Sequence, residues 1–249
     1  MAISESLAVD IQNLGFRYPG NAEAAFSGFN LQIGRCERFG LFGPNGAGKT
    51  TLMSLMTGLI KAQEGNIHIL GNDVSERSIK KKFGFVPQDF SFYQELSPKE
   101  NLQFFGAWAG LTSNKIKQRM DELLQVLGLE DVCDKPVGKF SGGMKRRVNL
   151  AIGVIHEPAL LFLDEPTVGV DVQTRHAIIS YLTDLNNRGT TLVYTSHQLS
   201  EAEGLCQRIA LMEGGDIIAK GDLDELFKEH RATSLEELFL DLTGKDYKD

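Results

Sequence analysis

The sequence predicts an α/β fold built on a mixed, largely parallel sheet, with an antiparallel β subdomain at the N-terminus and an inserted α-helical subdomain. Three observations carry this reading. Gly43-Pro44-Asn45-Gly46-Ala47-Gly48-Lys49-Thr50 lies between a short apolar run, 39–42, and the helix-like start Thr51-Leu52, the strand, glycine loop and helix order of a phosphate-binding loop. Four apolar runs end in polar residues of catalytic type: Phe42 into that loop, Val86 before Gln88, Leu163 into Asp164 and Glu165, and Thr195 into Ser196 and His197. Between 98 and 129 the apolar spacing changes to three and four, through Leu102, Phe105, Ala109, Ile116, Met120, Leu123, Leu124 and Leu127, the pattern of amphipathic helices.

In chain order, 7–14 alternates loosely and Phe29, Leu31 and Ile33 alternate cleanly, as half-buried antiparallel strands do. Pro19-Gly20 marks a turn between them. Residues 65–71 form a short strand bracketed by glycines, and 83–86 another that stops at Pro87. The helical segment reads as an insertion, because strand-type sequence resumes after it. Ser141-Gly142-Gly143 introduces a helix over 144–155, ended by Pro158. The continuous apolar run 159–163 fits a central parallel strand. Residues 173–187 read as helix, 190–195 as strand, and 200–207 as helix. A hairpin follows over 209–219 across Glu213-Gly214-Gly215, and 223–239 closes the chain with two short amphipathic segments.

Composition narrows the function classes. The 249 residues carry a net charge of −7, which argues against broad electrostatic binding to nucleic acid. Cys36, Cys133 and Cys206 are far apart, and no Cys-x-x-Cys or His-x₃-His spacing occurs. Neither a zinc site nor a disulfide framework is expected, and a reducing cytosol fits. The most apolar stretch, 150–163, is interrupted by His156, Glu157 and Pro158, short of the roughly 18 apolar residues of a membrane span. Met1-Ala2-Ile3-Ser4-Glu5 lacks the basic and apolar segments of a secretory signal.

The loop supplies the first chemistry. Its glycines let backbone amides wrap a phosphate chain at a helix N-terminus. Lys49 would neutralise the terminal phosphates, and the Thr50 hydroxyl would ligate Mg²⁺. Ligands of open parallel sheets sit beyond the carboxyl ends of the strands, so Gln88, Asp164, Glu165 and His197 are expected at the same edge. Asp164 is assigned to Mg²⁺ through water, and Glu165 to orienting or deprotonating the attacking water. Gln88 would contact that water or the metal, His197 the γ-phosphate, and Tyr18 offers a flat face for a purine base. Ser141, Gly142 and Gly143 make a second anion site at a helix start. The cations that follow, Lys145, Arg146 and Arg147, oppose the helix dipole and read as a solvated surface cluster.

In order and spacing these motifs resemble the ATP-binding-cassette (ABC) ATPases, a class of P-loop NTPase, over nearly the whole chain. The resemblance makes Gly43 to Thr50 the Walker A loop, with Thr51 beside it, and Gln88 the Q-loop glutamine. It makes Asp164 and Glu165 the Walker B pair, Asp171 the D-loop aspartate and His197 the switch histidine. Ser141, Gly142, Gly143 and Met144 match the signature, with Met144 where glutamine is usual and Phe140 where leucine is. It implies a single ABC ATPase domain: a nucleotide-binding core with the antiparallel β subdomain over 1–90 and 158–221, an α-helical subdomain over 91–157 and a C-terminal helical tail over 222–249. It implies hydrolysis of Mg²⁺-bound ATP in a head-to-tail homodimer, each ATP held between one subunit's Walker A and the other's signature. It also implies a separate integral membrane permease, docked in the groove beside Gln88 near Phe90, Phe92, Tyr93 and Leu96, and a cytoplasmic place on the inner face of the membrane. The Glu165-Pro166-Thr167-Val168-Gly169-Val170-Asp171, Ser141-Gly142-Gly143-Met144-Lys145-Arg146-Arg147 and Leu235-Glu236-Glu237-Leu238-Phe239 stretches are most similar to bacterial exporters of drugs, lipids or polysaccharides. The alternative is a soluble cassette ATPase of the iron–sulfur-assembly type. A GTP-binding switch is disfavoured, because Asn114-Lys115-Ile116-Lys117 lacks the aspartate that reads guanine.

Overall fold

The computed structural model describes residues 7–196, 199 and 204–244. Two sheets form its frame. Strands β1 (Leu7–Phe16), β2 (Phe26–Gly34), β4 (Glu64–Ile69) and β5 (Asn72–Asp73) make an antiparallel sheet ordered β2-β1-β4-β5. The larger sheet is ordered β10-β9-β3-β8-β7-β6, from β3 (Arg38–Phe42), β6 (Phe83–Val86), β7 (Leu160–Asp164), β8 (Thr191–Ser196), β9 (Arg208–Glu213) and β10 (Asp216–Asp222). Its strands pair in parallel except at the β9–β10 hairpin. The expected α/β class with a mixed, largely parallel sheet is what the chain adopts.

The run of apolar residues in β7 has a direct cause. Leu160 and Phe162 point into a core shared with the antiparallel sheet and helix α1 (Lys49–Met56), while Leu161 and Leu163 point into a core shared with the later helices. A strand covered on both faces has no polar side to show. Phe39 and Leu41 join the first core and Phe42 the second, so β3 delivers its loop from the middle of the molecule.

The helical region contains α2 (Pro98–Trp108), α3 (Ser113–Val126) and α4 (Gly142–Val154). Ser97 and Glu100 cap α2 reciprocally, with Pro98 at its first turn. Thr112 and Ser141 cap α3 and α4 through their hydroxyls. Helices α3 and α4 also exchange arginines at their C-terminal ends. Arg119 of α3, 2% exposed, donates to the carbonyls of Val154 at 3.3 Å and Ile155 at 3.5 Å. Arg147 of α4 donates to Leu127 at 2.8 Å and Gly128 at 3.2 Å. Each cation thus meets carbonyls at the C-terminal end of its partner helix, where Val154 also accepts from the Glu157 amide at 3.0 Å. Arg119 also pairs with Glu122 at 2.6 Å. Arg119→Met should lower unfolding free energy by about 2–4 kcal/mol, read as a lower urea midpoint. Arg147→Met, whose carbonyls are nearer to solvent, should cost about 1 kcal/mol.

Helix α5 (Val172–Asn187) lies between β7 and β8 in sequence, and α6 (Leu223–His230) and α7 (Leu235–Thr243) close the described chain. Leu226, Leu235, Leu238 and Phe239 anchor the last two on the second core. Of the helix expected over 200–207, residues 200–203 lie outside the described residues. Among the described residues no helix is long and apolar enough to cross a membrane.

Candidate functional site

Register brings the polar strand ends together. In the parallel ladders Phe42 faces Ser196, Asp164 faces Thr195, and Val86 faces Leu163. The phosphate loop, Gln88 and the Asp164–Glu165 pair therefore share one sheet edge. His197, which follows Ser196, lies outside the described residues.

The loop after β3 is shaped by glycine. Gly43 has φ of +154°, and a Cβ there would lie 2.2 Å from the Met212 carbonyl oxygen, so no other residue fits. Gly48, at φ +103°, is the N-cap of α1 and offers no side chain to its amides. That helix start is open to an anion. Lys49 is only 6% exposed, and its Nζ donates to the carbonyls of Gly43 at 2.6 Å and Pro44 at 3.1 Å. Burial lowers its pKa, against the charges of Glu165 and Asp164, which raise it. Asn45, Gly46 and Thr50 are exposed. The Tyr18 hydroxyl lies 3.1 Å from Thr51 Oγ1, and its half-open ring meets the Phe16 ring at 4.9 Å. The aromatic thus stands beside the residue that follows the loop.

Asp164 is 2% exposed and accepts from Thr195 Oγ1 at 2.7 Å. Burial pushes its pKa up. The Thr195 hydroxyl opposes that, Glu165 adds to it, and Thr50 and Lys49 also oppose it. Glu165 takes a left-handed backbone, φ +50°, which costs about 1–2 kcal/mol outside glycine. Its amide is held by the Thr195 carbonyl and hydroxyl, each at 3.2 Å. The Gln88 side-chain amide donates to Glu165 Oε2 at 2.9 Å. The carboxylate is thus aimed by the backbone and fixed by an amide from the neighbouring strand end.

The signature residues sit elsewhere. Ser141 accepts from the Met144 amide at 3.3 Å, while Ser141 and Gly142 themselves are exposed. A Cβ on Gly142 would lie 3.7 Å from the Gly169 carbonyl, and one on Gly143 would lie 3.2 Å from Thr174 Oγ1. Asp171 caps α5 by accepting from the Thr174 amide at 2.9 Å and its hydroxyl at 2.7 Å. These bonds hold its carboxyl below the usual range. Met144 packs at the edge of the second core.

The basic run after Gly143 departs from the sequence expectation of a solvated cluster. Arg147 caps α3, and Arg146 is 7% exposed, turned inward onto the Gln88 and Val168 carbonyls and the Phe90 ring. Asn149, 2% exposed, donates to the Pro87 carbonyl at 3.1 Å and accepts from the Ser91 amide at 3.4 Å. Sequence reasoning passed over Arg146, Asn149 and Thr195. The spacing Gly143, Arg146, Asn149, Gly153 follows one helix face and is the signal that would have found the first two. The aromatics after Gln88 divide: Phe90 and Tyr93 are exposed, whereas Phe92 packs against the core.

Among the described residues no three His, Cys, Asp or Glu side chains gather to hold a metal alone. A buried Asp164 beside Thr50 instead suits a hard cation whose remaining ligands are phosphate oxygens and water. Thr50, Asp164 and Gln88 are the groups that would hold it, and such an ion offsets phosphate charge.

Residues 26–168 match the family model described as ABC transporter. The linearmycin resistance ATP-binding protein LnrL of Bacillus subtilis (strain 168) is 42% identical over 201 residues, 80% of this chain and 65% of that protein. The Nod factor export ATP-binding protein I of Rhizobium sp. (strain N33) is 41% identical over 215 residues, 86% of this chain and 71% of that protein. An ATP-binding subunit of an ABC transporter superposes with a TM-score of 0.88 at 28% identity, covering 95% of this chain and 99% of that one. The dimeric post-hydrolysis state of the ATP-binding cassette MJ0796, bound to ADP and Pi, superposes with a TM-score of 0.79 at 26% identity, covering 86% and 98%. In sequence and in fold alike, the chain belongs to the ABC transporter family, among its ATP-binding and ATP-hydrolysing members.

Proposed function

We propose that this chain is the ATPase subunit of an exporter, working as a head-to-tail pair beneath a separate membrane subunit. The observation that carries the reading is that the two glycine-rich helix starts have different neighbours. The exposed Ser141–Gly142 helix end sits against 169–174, while the phosphate loop is bounded by Met212, Phe26 and Tyr18. Two anion-binding helix starts in one chain that do not converge are explained when each completes the other's site in a second copy. The ADP- and Pi-bound cassette that this chain resembles is a dimer.

In this reading Lys49, the loop amides and Thr50 hold the triphosphate, and Tyr18 takes the base. Glu165, steadied by Gln88, orients or deprotonates the attacking water, and His197 meets the γ-phosphate. Thr50, Asp164 and Gln88 would hold Mg²⁺, which would offset charge on the phosphoryl group. Asp171 and Met144 face the second subunit. A cavity of about 690 Å³ beside Pro87 and Ser91, lined by Leu59, Phe105, Trp108 and Ile152, receives the membrane subunit. Trp108 is 77% exposed there, a large aromatic left for a partner. The likeness to a protein named for Nod factor export supports export, and a subunit working beneath such a permease would sit at the cytoplasmic face of the membrane.

Complementation tests the divided site. Lys49→Ala and Ser141→Arg chains are each expected to be inactive alone. Mixed in equal amounts, they form heterodimers with one whole site and should recover up to about one quarter of wild-type turnover. No recovery, with both chains folded and able to mix, would overturn the head-to-tail arrangement.

A further inference from the structure

Arg146 stands in the second turn of the helix that Ser141 caps, yet the bonds of its side chain all lead toward the other half of the site. Its Nη1 donates to the Gln88 carbonyl, its Nε to the Val168 carbonyl at 3.4 Å, and its guanidinium lies 4.9 Å from the Phe90 ring centroid. Gln88 is the residue whose side chain holds Glu165. Val168 is the residue whose amide donates to the Glu165 carbonyl, at 3.3 Å. One buried cation therefore holds backbone at both Gln88 and Val168, the two residues bonded to Glu165. Burial lowers its pKa, against Glu165, Asp89 and Asp164, which favour its charge, and arginine stays protonated throughout.

We propose that Arg146 is a positioning residue for hydrolysis, locking Gln88 and Val168 so that Glu165 keeps its aim, and that Phe90 on the outer surface steadies it. The inference rests on the reading of Glu165 as the residue that orients water. It adds a path within one chain: the helix whose start meets the second subunit's nucleotide also sets the carboxylate of its own site. Phe90 is 37% exposed beside Gln88, so contact with a partner on that ring bears on the same guanidinium.

The path does not run through Asn149. That residue holds the Pro87 carbonyl and the Ser91 amide from the same helix face, rather than the Gln88 and Val168 carbonyls that Arg146 holds. It serves as the control for general loosening of the segment.

The test is steady-state kinetics with the full chain and Mg²⁺-ATP, alongside thermal melting. Arg146→Met should lower kcat by about 10- to 100-fold, the scale of a misplaced catalytic group, with KM for ATP within about twofold. Arg146→Lys, which keeps the charge and a donor, should recover part of the loss. Phe90→Ala should slow turnover less, and the Arg146→Met/Phe90→Ala double variant should be no slower than Arg146→Met alone, because both act through one link. Asn149→Ala should lower the melting temperature without this kcat-specific loss. The inference is overturned if Arg146→Met leaves kcat intact, if its losses in kcat and KM match those of Asn149→Ala, or if the two substitutions simply add. If Glu165→Gln itself proved nearly as active as wild type, the reading of Glu165 would fail first; full loss there with an intact Arg146→Met would sink this inference alone.

Discussion

Glu165→Gln is expected to lower ATP turnover by about 10²- to 10⁴-fold, the contribution of a positioned general base, while leaving ATP binding intact. The substitution is nearly isosteric, so the left-handed backbone at this residue and the two bonds from its amide to Thr195 persist. What changes is the acceptor that water needs. The Gln88 amide, which now donates to Glu165 Oε2 at 2.9 Å, would still find the side-chain carbonyl of a glutamine. Nucleotide then enters but is not consumed, and, on the proposed head-to-tail pairing, an ATP-bridged dimer should accumulate. Single-turnover kinetics, with sizing of the protein in ATP and in ADP, reads both effects. Turnover near wild type would remove Glu165 from the role assigned to it.

Much of this was legible because each signal was local. A glycine that must hold φ of +154° under a carbonyl, an apolar strand buried on both faces, and a serine that caps a helix all leave marks within a few residues. The marks failed where partners are distant in sequence. Nothing in Met144-Lys145-Arg146-Arg147 says that the third residue reaches back 58 positions to Gln88, or that the fourth caps a helix end 20 residues earlier. The opposing helix dipole made surface placement the reasonable expectation. Carbonyls at Leu127, Gly128, Gln88 and Val168 reversed it by accepting the guanidinium N–H bonds, while Glu165, Asp89 and Asp164 favour the charge of Arg146. Thr195 was hidden for a similar reason. A threonine in a strand reads as β propensity, and only the register of β7 against β8 puts its hydroxyl on Asp164.

Lys49→Met separates what the fold needs from what the ligand needs. Lys49 is buried, and its ammonium is satisfied by two loop carbonyls. On the proposed role, those donors turn to phosphate oxygens when the triphosphate binds, a charge-assisted contact in a shielded place. Its loss should weaken ATP binding by about 2–5 kcal/mol, or roughly 30- to 5,000-fold in Kd, by equilibrium titration. Stability of the free protein should move little at neutral pH. Burial lowers the lysine's pKa in the folded state, so the charged side chain opposes folding wherever the unfolded chain is protonated. Removing it relieves that cost and forfeits the two bonds. The sign shows with alkali. A folded pKa below the unfolded value gives wild type stability that is present above the unfolded pKa, near 10.4, and lost as pH falls through the folded one. The gap between wild type and Lys49→Met should therefore shift in favour of wild type as pH rises toward 10. Saturating ATP should raise the melting temperature of wild type and leave that of Lys49→Met nearly unmoved. A variant that still melted later in ATP would mean that the glycine loop and the α1 amides hold the nucleotide without the lysine.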